Sequence, residues 1–188
     1  MYKVVREGGK KLKINRRQYR MKYTFECDKM DGLVLIDEYY LDKFNEEVLY
    51  SFDIFLDRYG ESELVYDFPD EKWEDVYKRE SKKFLEFCNS GTMIVFLVDM
   101  NEYNCDIQFS RELFETNTFL DMKSGKLILV NAGELIQCAF YPDLEMEKVL
   151  EIDDVEVGTY AVTNNDICNI VFRKSIISKK NYQNVIKL

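Results

Sequence analysis

Asn89-Ser90-Gly91-Thr92-Met93-Ile94-Val95-Phe96-Leu97-Val98 is the stretch on which the reading of the fold turns. Asn89-Ser90-Gly91 predicts the end of a helix, because glycine takes the left-handed backbone at a helix C-terminus without a Cβ clash. Met93–Val98 is an unbroken apolar run, the pattern of a short buried strand. It is far too short to cross a bilayer. Before this point apolar residues recur at helical spacing; after it they come in short runs separated by turn residues.

Working upstream, a helix is predicted over about 71–88. Trp73, Tyr77, Phe84, Leu85 and Cys88 line one side, with Asp70 as N-cap and Glu71 and Glu74 in the first turn. Lys78, Arg79, Lys82 and Lys83 fill its second half, where cations suit the helix dipole. Phe68-Pro69-Asp70 breaks a short strand at Leu64-Val65-Tyr66. A longer helix is predicted from about Tyr40 to Tyr59, where Leu41, Phe44, Val48, Phe52, Phe55 and Tyr59 form one apolar face and Gly60 supplies a stop. Strands are predicted at 22–28 and, after Gly32, at Leu33-Val34-Leu35-Ile36.

Working downstream, strands are predicted at Met93–Val98, Asp106–Phe109, Lys126–Val130, Leu135–Tyr141, Val149–Ile152, Thr159–Thr163 and Ile167–Arg173. Ser124-Gly125, Ala132-Gly133, Tyr141-Pro142-Asp143, Val157-Gly158 and Asn164-Asn165-Asp166 read as the turns between them. Ser110–Glu115 reads as a short helical turn, and Ser178–Leu188 carries no clear pattern. Helices before strands imply an α+β fold, with an N-terminal helical layer packed on one face of a C-terminal antiparallel sheet, sandwich or partly open barrel. Residues 23–188 are expected to form one domain, with lobes at about 23–91 and 92–188.

Composition limits the chemistry. In 188 residues, 46% are hydrophobic and 14% aromatic, enough to bury a core, so a disordered chain is excluded. Histidine is absent, which removes histidine metal sites, Ser-His and Cys-His nucleophile pairs and imidazole pH switching. Cys27, Cys88, Cys105, Cys138 and Cys168 stand singly, as small core residues of a protein in a reducing, cytoplasmic compartment do. No hydrophobic stretch follows the basic N-terminus, so no secretory signal is expected.

Charge is segregated. Residues 1–22 carry nine basic groups against Glu7, and residues 173–188 carry five basic groups and no acid. The body between them holds 12 basic and 34 acidic residues. A body so negative repels phosphates and attracts a basic partner. The basic arm at 1–22 has two readings: a phosphate-seeking tail, or sequence outside the natural protein. Met21 opens Met-Lys-Tyr-Thr-Phe-Glu, which reads as a bacterial start, and Arg16-Arg17 fits a purine-rich ribosome-binding site just before it.

Catalytic motifs are missing. There is no Walker loop, no G-x-G-x-x-G, no G-x-S-x-G elbow and no EF-hand loop. Asp121-Met122-Lys123 with the upstream Pro69-Asp70 is the most nuclease-like fragment, since metal-dependent cleavage needs paired carboxylates and a lysine. Its place before Ser124-Gly125 favours a hairpin shoulder instead. No catalytic residue, cofactor or metal ligand is therefore assigned.

The expected function is a non-enzymatic, acidic protein-binding module: an immunity or antitoxin-type inhibitor of a basic partner such as a toxin domain. The assigned contact residues are Asp143, Glu145, Glu147, Glu151, Asp153, Asp154 and Glu156, on a sheet edge and its loops, with Tyr39 and Tyr40 as anchors. The edge could equally be acidic only to block sheet-to-sheet aggregation. Two rivals are a nucleic-acid-associated protein using the basic arm and a carboxylate-dependent hydrolase. No membrane partner is expected.

Overall fold

A computed structural model of the chain describes residues 22–28, 32–57, 71–97, 102–110, 116–141, 143–164, 169–175 and 183–187. The strands are β1 (Lys22–Asp28), β2 (Leu33–Asp37), β3 (Met93–Leu97), β4 (Glu102–Phe109), β5 (Thr118–Met122), β6 (Leu127–Asn131), β7 (Lys148–Ile152), β8 (Gly158–Asn164), β9 (Asn169–Lys174) and β10 (Val185–Lys187). The helices are α1 (Glu46–Leu56), α2 (Trp73–Phe87) and α3 (Ala132–Phe140), with a 3-10 helix at Glu38–Lys43 and a π turn at Cys88–Thr92.

The strands form two open five-stranded sheets, ordered β1-β4-β9-β8-β5 and β10-β3-β2-β6-β7. Both are mixed rather than wholly antiparallel, because β4 runs parallel to β9 and β10 parallel to β3. The arrangement is α+β, built as helices on a sheet on a second sheet. β2, from the segment expected to be mainly helical, lies in the middle of its sheet, between β3 and β6.

The apolar runs explain the layering. Leu33, Leu35, Ile94, Phe96, Leu127 and Leu129 face the second sheet, where they meet Ile107, Leu120, Val162, Ile170 and Phe172. Their neighbours Val34, Ile36, Met93, Val95, Ile128 and Val130 face the helices and pack on Phe52, Phe84, Cys88 and Leu135. A strand buried on both faces needs apolar residues at every position, so these three runs mark the central layer. Phe52 and Phe84 stack between α1 and α2 with ring centroids 4.4 Å apart. Each is fully buried, a burial that stabilises by roughly 1.5–3 kcal/mol per side chain.

Several expectations need correction. Leu135–Phe140 is helical, with Tyr141 as the C-cap, not a strand, and Ala132-Gly133 opens that helix rather than a turn. Asn131 caps it by accepting from the Gly133 N–H at 2.8 Å. The predicted helix from Tyr40 splits, because the Asn45 side chain caps α1 by accepting from Val48 N. β5, which had appeared only as the shoulder of a hairpin, is a full strand paired with β8. The chain end, left without a pattern, supplies β10. The α2 stop stands as expected, with Gly91 at a φ of 90°. Asp70, Leu64–Tyr66 and residues 111–115 lie outside the described residues.

Two buried polar side chains join the layers. Asp37, fully buried at the end of β2, accepts from the N–H groups of Tyr39, Lys123, Ser124 and Gly125 and from the Ser124 hydroxyl. It thereby shapes the turn between β5 and β6. A Cβ on Gly125 would lie 2.6 Å from the Val155 carbonyl, so this turn requires glycine. Asn184, also fully buried, accepts from Phe119 N and donates to the carbonyls of Cys88, Met93 and Phe119. It ties the chain just before β10 to the π turn, to β3 and to β5 of the opposite sheet. Among the described residues, no helix is long and apolar enough to cross a membrane.

Candidate functional site

The acidic stretch maps onto β7 and the loops at its two ends. Among the described residues, β7 is an edge strand, bonded on one side to β6. Lys148 lies opposite Val130 and Ile152 opposite Leu127, so the loops diverge. Residues 143–147 sit at the α3 end of the sheet. Residues 153–156 sit at the other end, beside the Gly125 turn, where Val155 N donates to the Gly125 carbonyl at 2.8 Å.

At the first end, α3 sets the geometry. Its Ala132, Leu135 and Ile136 turn inward to the helical core. The helix then runs out, leaving Phe140 45% and Tyr141 65% exposed. Tyr141 N caps onto the Gln137 carbonyl, and Leu144 N bonds back to the Tyr141 carbonyl at 2.9 Å, which leaves Leu144 53% exposed. The loop is held from beneath: Met146 packs against the helical core, and Glu147 N donates to Glu134 Oε1 at 2.9 Å. Asp143, Glu145 and Glu147 are exposed around this apolar trio. Among the described residues no lysine or arginine pairs with them.

The same helix holds Cys138, whose thiol donates to Glu134 Oε1 at 3.4 Å. Burial first, then the Glu134 carboxylate, pushes this thiol above its ordinary range, so it stays protonated and is a poor nucleophile.

Along β7 and at its far end the acids are more compensated. Glu151 pairs with Lys148 at 2.7 Å and Lys126 at 3.3 Å, and Lys126 also holds Glu38. Burial alone would raise the Glu151 carboxyl, but the bond and charge of Lys148, then Lys126, take it below its ordinary value. Lys126 is raised, chiefly by its bond to Glu38. Glu156 is paired with Lys174 of β9. Asp153 and Asp154 have no such partner among the described residues, and Asp154 turns the chain away from the edge at a φ of 61°.

The two tyrosines separate. Tyr39 is 48% exposed at the Asp37 end of the sheet, with Lys43 Nζ 5.1 Å from its ring centre. Tyr40 is buried and offers no surface anchor. The 3-10 turn points it into the helical core instead. Burial, then Asp121 and Asp37, push its hydroxyl up to about 12. The nine assigned residues therefore form two groups, one at each end of β7, rather than one patch.

Asp121 accepts from the Thr159 hydroxyl at 2.6 Å across the β5–β8 pair, and Lys123 lends its backbone N–H to Asp37. Pro69-Asp70 lies outside the described residues. Among the described residues no three His, Cys, Asp or Glu side chains gather as a metal ion requires. Phe140, Tyr141 and Leu144 escaped the sequence reading, because a strand at 135–141 would have alternated their faces. Asn131 as a cap before a helical period was the signal that could have found them.

No protein-family model matches the chain, and no curated protein or solved structure matches it either.

Proposed function

We propose that this protein is a non-enzymatic binding module that captures a basic protein on the corner formed by α3, the 143–147 loop and β7. The reading is of an immunity or antitoxin-type inhibitor acting in the cytoplasm on a basic partner such as a toxin domain. One observation carries it. Phe140, Tyr141 and Leu144, three large exposed apolar side chains within five residues, are flanked by Asp143, Glu145 and Glu147, which have no cation of their own among the described residues.

Such a surface has the two parts that a fast, specific interface needs. The acids steer a positive partner in, an effect that raises association rates and weakens with salt. The aromatic pair then supplies dry contact area, where most binding energy concentrates. The pinning of the loop by Met146 and by the Glu147–Glu134 bond lowers the ordering entropy lost on binding. Inhibition follows by steric cover, with no chemistry demanded of the inhibitor.

The test is association with a basic toxin-type protein, sought first among the products of the neighbouring genes. Tight binding that weakens with added salt and falls in a Phe140→Ala, Tyr141→Ala variant supports the proposal. Binding that ignores both salt and that variant overturns it.

A further inference from the structure

We infer that β10 is a releasable strap: residues 183–187 fill a peptide-binding slot between the two sheets, leave it without unfolding the rest, and the open slot accepts the same extended segment from a second copy of the chain. Among the described residues the slot lies at the opposite end of its sheet from β7, so it is independent of the docking corner. Its walls are β3, the π turn and the start of β5. Val95 N donates to the Asn184 carbonyl at 2.8 Å, and Asn184 N donates to Asn89 Oδ1 at 2.9 Å. One residue earlier, the Thr118 hydroxyl donates to the Gln183 carbonyl at 2.7 Å, and Gln183 N donates to the Asn117 carbonyl at 2.8 Å. The fully buried Asn184 side chain reaches both sheets at once, through Met93 of β3 and Phe119 of β5.

What holds this segment is mostly polar. Val185 and Ile186 are only half-buried, and the ladder to β3 is parallel and three residues long. Parallel pairing is slightly weaker per residue than antiparallel pairing. Water replaces hydrogen bonds when a segment opens, but it does not replace apolar burial. A segment with little buried apolar surface therefore opens at a free energy below that of the whole fold. β2 is the contrast, with five buried residues paired on both sides. The same bonds make the slot selective. It presents the carbonyls of Cys88, Met93 and Phe119 and the N–H of Phe119, so it asks for one side chain that both donates and accepts. An apolar side chain there leaves buried polar groups unpaired, and a carboxylate faces three carbonyl oxygens. Asparagine followed by branched apolar residues meets the demand. A second copy carries that segment in identical form, so exchange of strands needs no new complementarity.

The probe is the synthetic hexapeptide Gln-Asn-Val-Ile-Lys-Leu, which stands for the segment of a second copy, beside the same peptide with alanine in place of asparagine. Both are titrated against the full chain and against its Asn184→Ala and Ile186→Ser variants, which loosen the resident strap. That strap competes at an effective concentration on the order of millimolar. The expected result is at least tenfold tighter binding of the asparagine peptide to either variant than to the unchanged chain, and at least tenfold weaker binding of the alanine peptide. Amide hydrogen exchange of the unchanged chain should show Val95 and Asn184 exchanging well ahead of the β2 amides. Exchange of both sets at one rate, through unfolding of the whole chain, overturns the releasable strap, and this measurement holds even where neither variant folds. Equal affinity of the two peptides, or no binding of the asparagine peptide to a folded variant, overturns the slot.

Discussion

Acidic residues crowd two parts of this molecule, and the cations treat the two differently. On the helical side, Glu80 of α2 is almost fully buried, yet it accepts from the Ser51 hydroxyl at 2.8 Å, from Arg79 Nε at 2.8 Å and pairs with Lys83 at 3.2 Å. Arg79 also reaches Glu71, Lys83 reaches Glu47, and Lys82 stands near Glu86. At the α3–β7 corner, Asp143, Glu145 and Glu147 stand in solvent around an exposed apolar trio, with no such partners among the described residues. One acidic region is closed by its own chain and holds α1 to α2. The other is left open. In a protein with few cations in its body, they sit where burial makes an unpaired carboxylate expensive, and the remaining acids keep a negative field at the surface.

The largest expected effect comes from breaking the closed side. Glu80→Ala leaves the buried Ser51 hydroxyl without its acceptor while Arg79 and Lys83, both part-exposed, turn to water. The expected loss is about 2 kcal/mol of folding stability, read from a denaturant midpoint, with binding at the corner unchanged. Stability that survives this change intact would remove the contrast. The acid limb carries the same signature. The Glu80 carboxyl lies below its ordinary value: burial would raise it, but the bonds from Arg79, Ser51 and Lys83 prevail. Its contribution is present above the ordinary carboxylate range and is lost as pH falls through its lowered value, so Glu80→Gln should flatten stability in that window.

Next in size is the open side. Replacing Phe140 and Tyr141 together by alanine should weaken partner binding about tenfold or more while folding stability moves by no more than ~0.5 kcal/mol. A variant that unfolds the protein instead would show that these rings serve the fold. The closed side also contains an exception that sharpens the comparison. Asp53 of α1 keeps one buried oxygen without a hydrogen-bond partner, and burial, then Asp57, raises its carboxyl. A raised carboxyl destabilises the fold once pH exceeds the unfolded value, fully so above the folded one. Asp53→Asn should therefore stabilise at neutral pH relative to its effect in strong acid, as thermal melts at the two pH values would read. The smallest effect on the fold belongs to the corner acids. Changing Asp143 to Asn and Glu145 and Glu147 to Gln should leave stability within ~0.5 kcal/mol and abolish most of the salt dependence of association.

Particular residues show how far the chain could be read before its structure. Leu33–Ile36, Met93–Phe96 and Leu127–Val130 were legible as buried strands, because runs of apolar residues with no polar face have few other places to go. Gly91 and Gly125 were legible as stops and turns, since their backbone conformations exclude other residues. Leu135–Tyr141 was misread because an apolar run of that length satisfies a strand as well as a buried helix, and the period alone does not decide. Tyr40 was misjudged for a related reason: adjacent acids suggest exposure, but the 3-10 turn after β2 rotates its ring into the core.

The amino-acid order by itself determined the α+β class, the lack of histidine chemistry and the strong negative charge of the body, because these follow from local periodicity and from counting. Tertiary structure alone decided which acids are neutralised, that β7 is an edge, and that Phe140, Tyr141 and Leu144 share a corner with Asp143, Glu145 and Glu147. Asp37 finds its donors at Lys123, Ser124 and Gly125, and Asn184 finds its carbonyls at Cys88, Met93 and Phe119, all far away along the chain. Such pairings exist only once non-local strands have met, and no local pattern encodes which strand meets which.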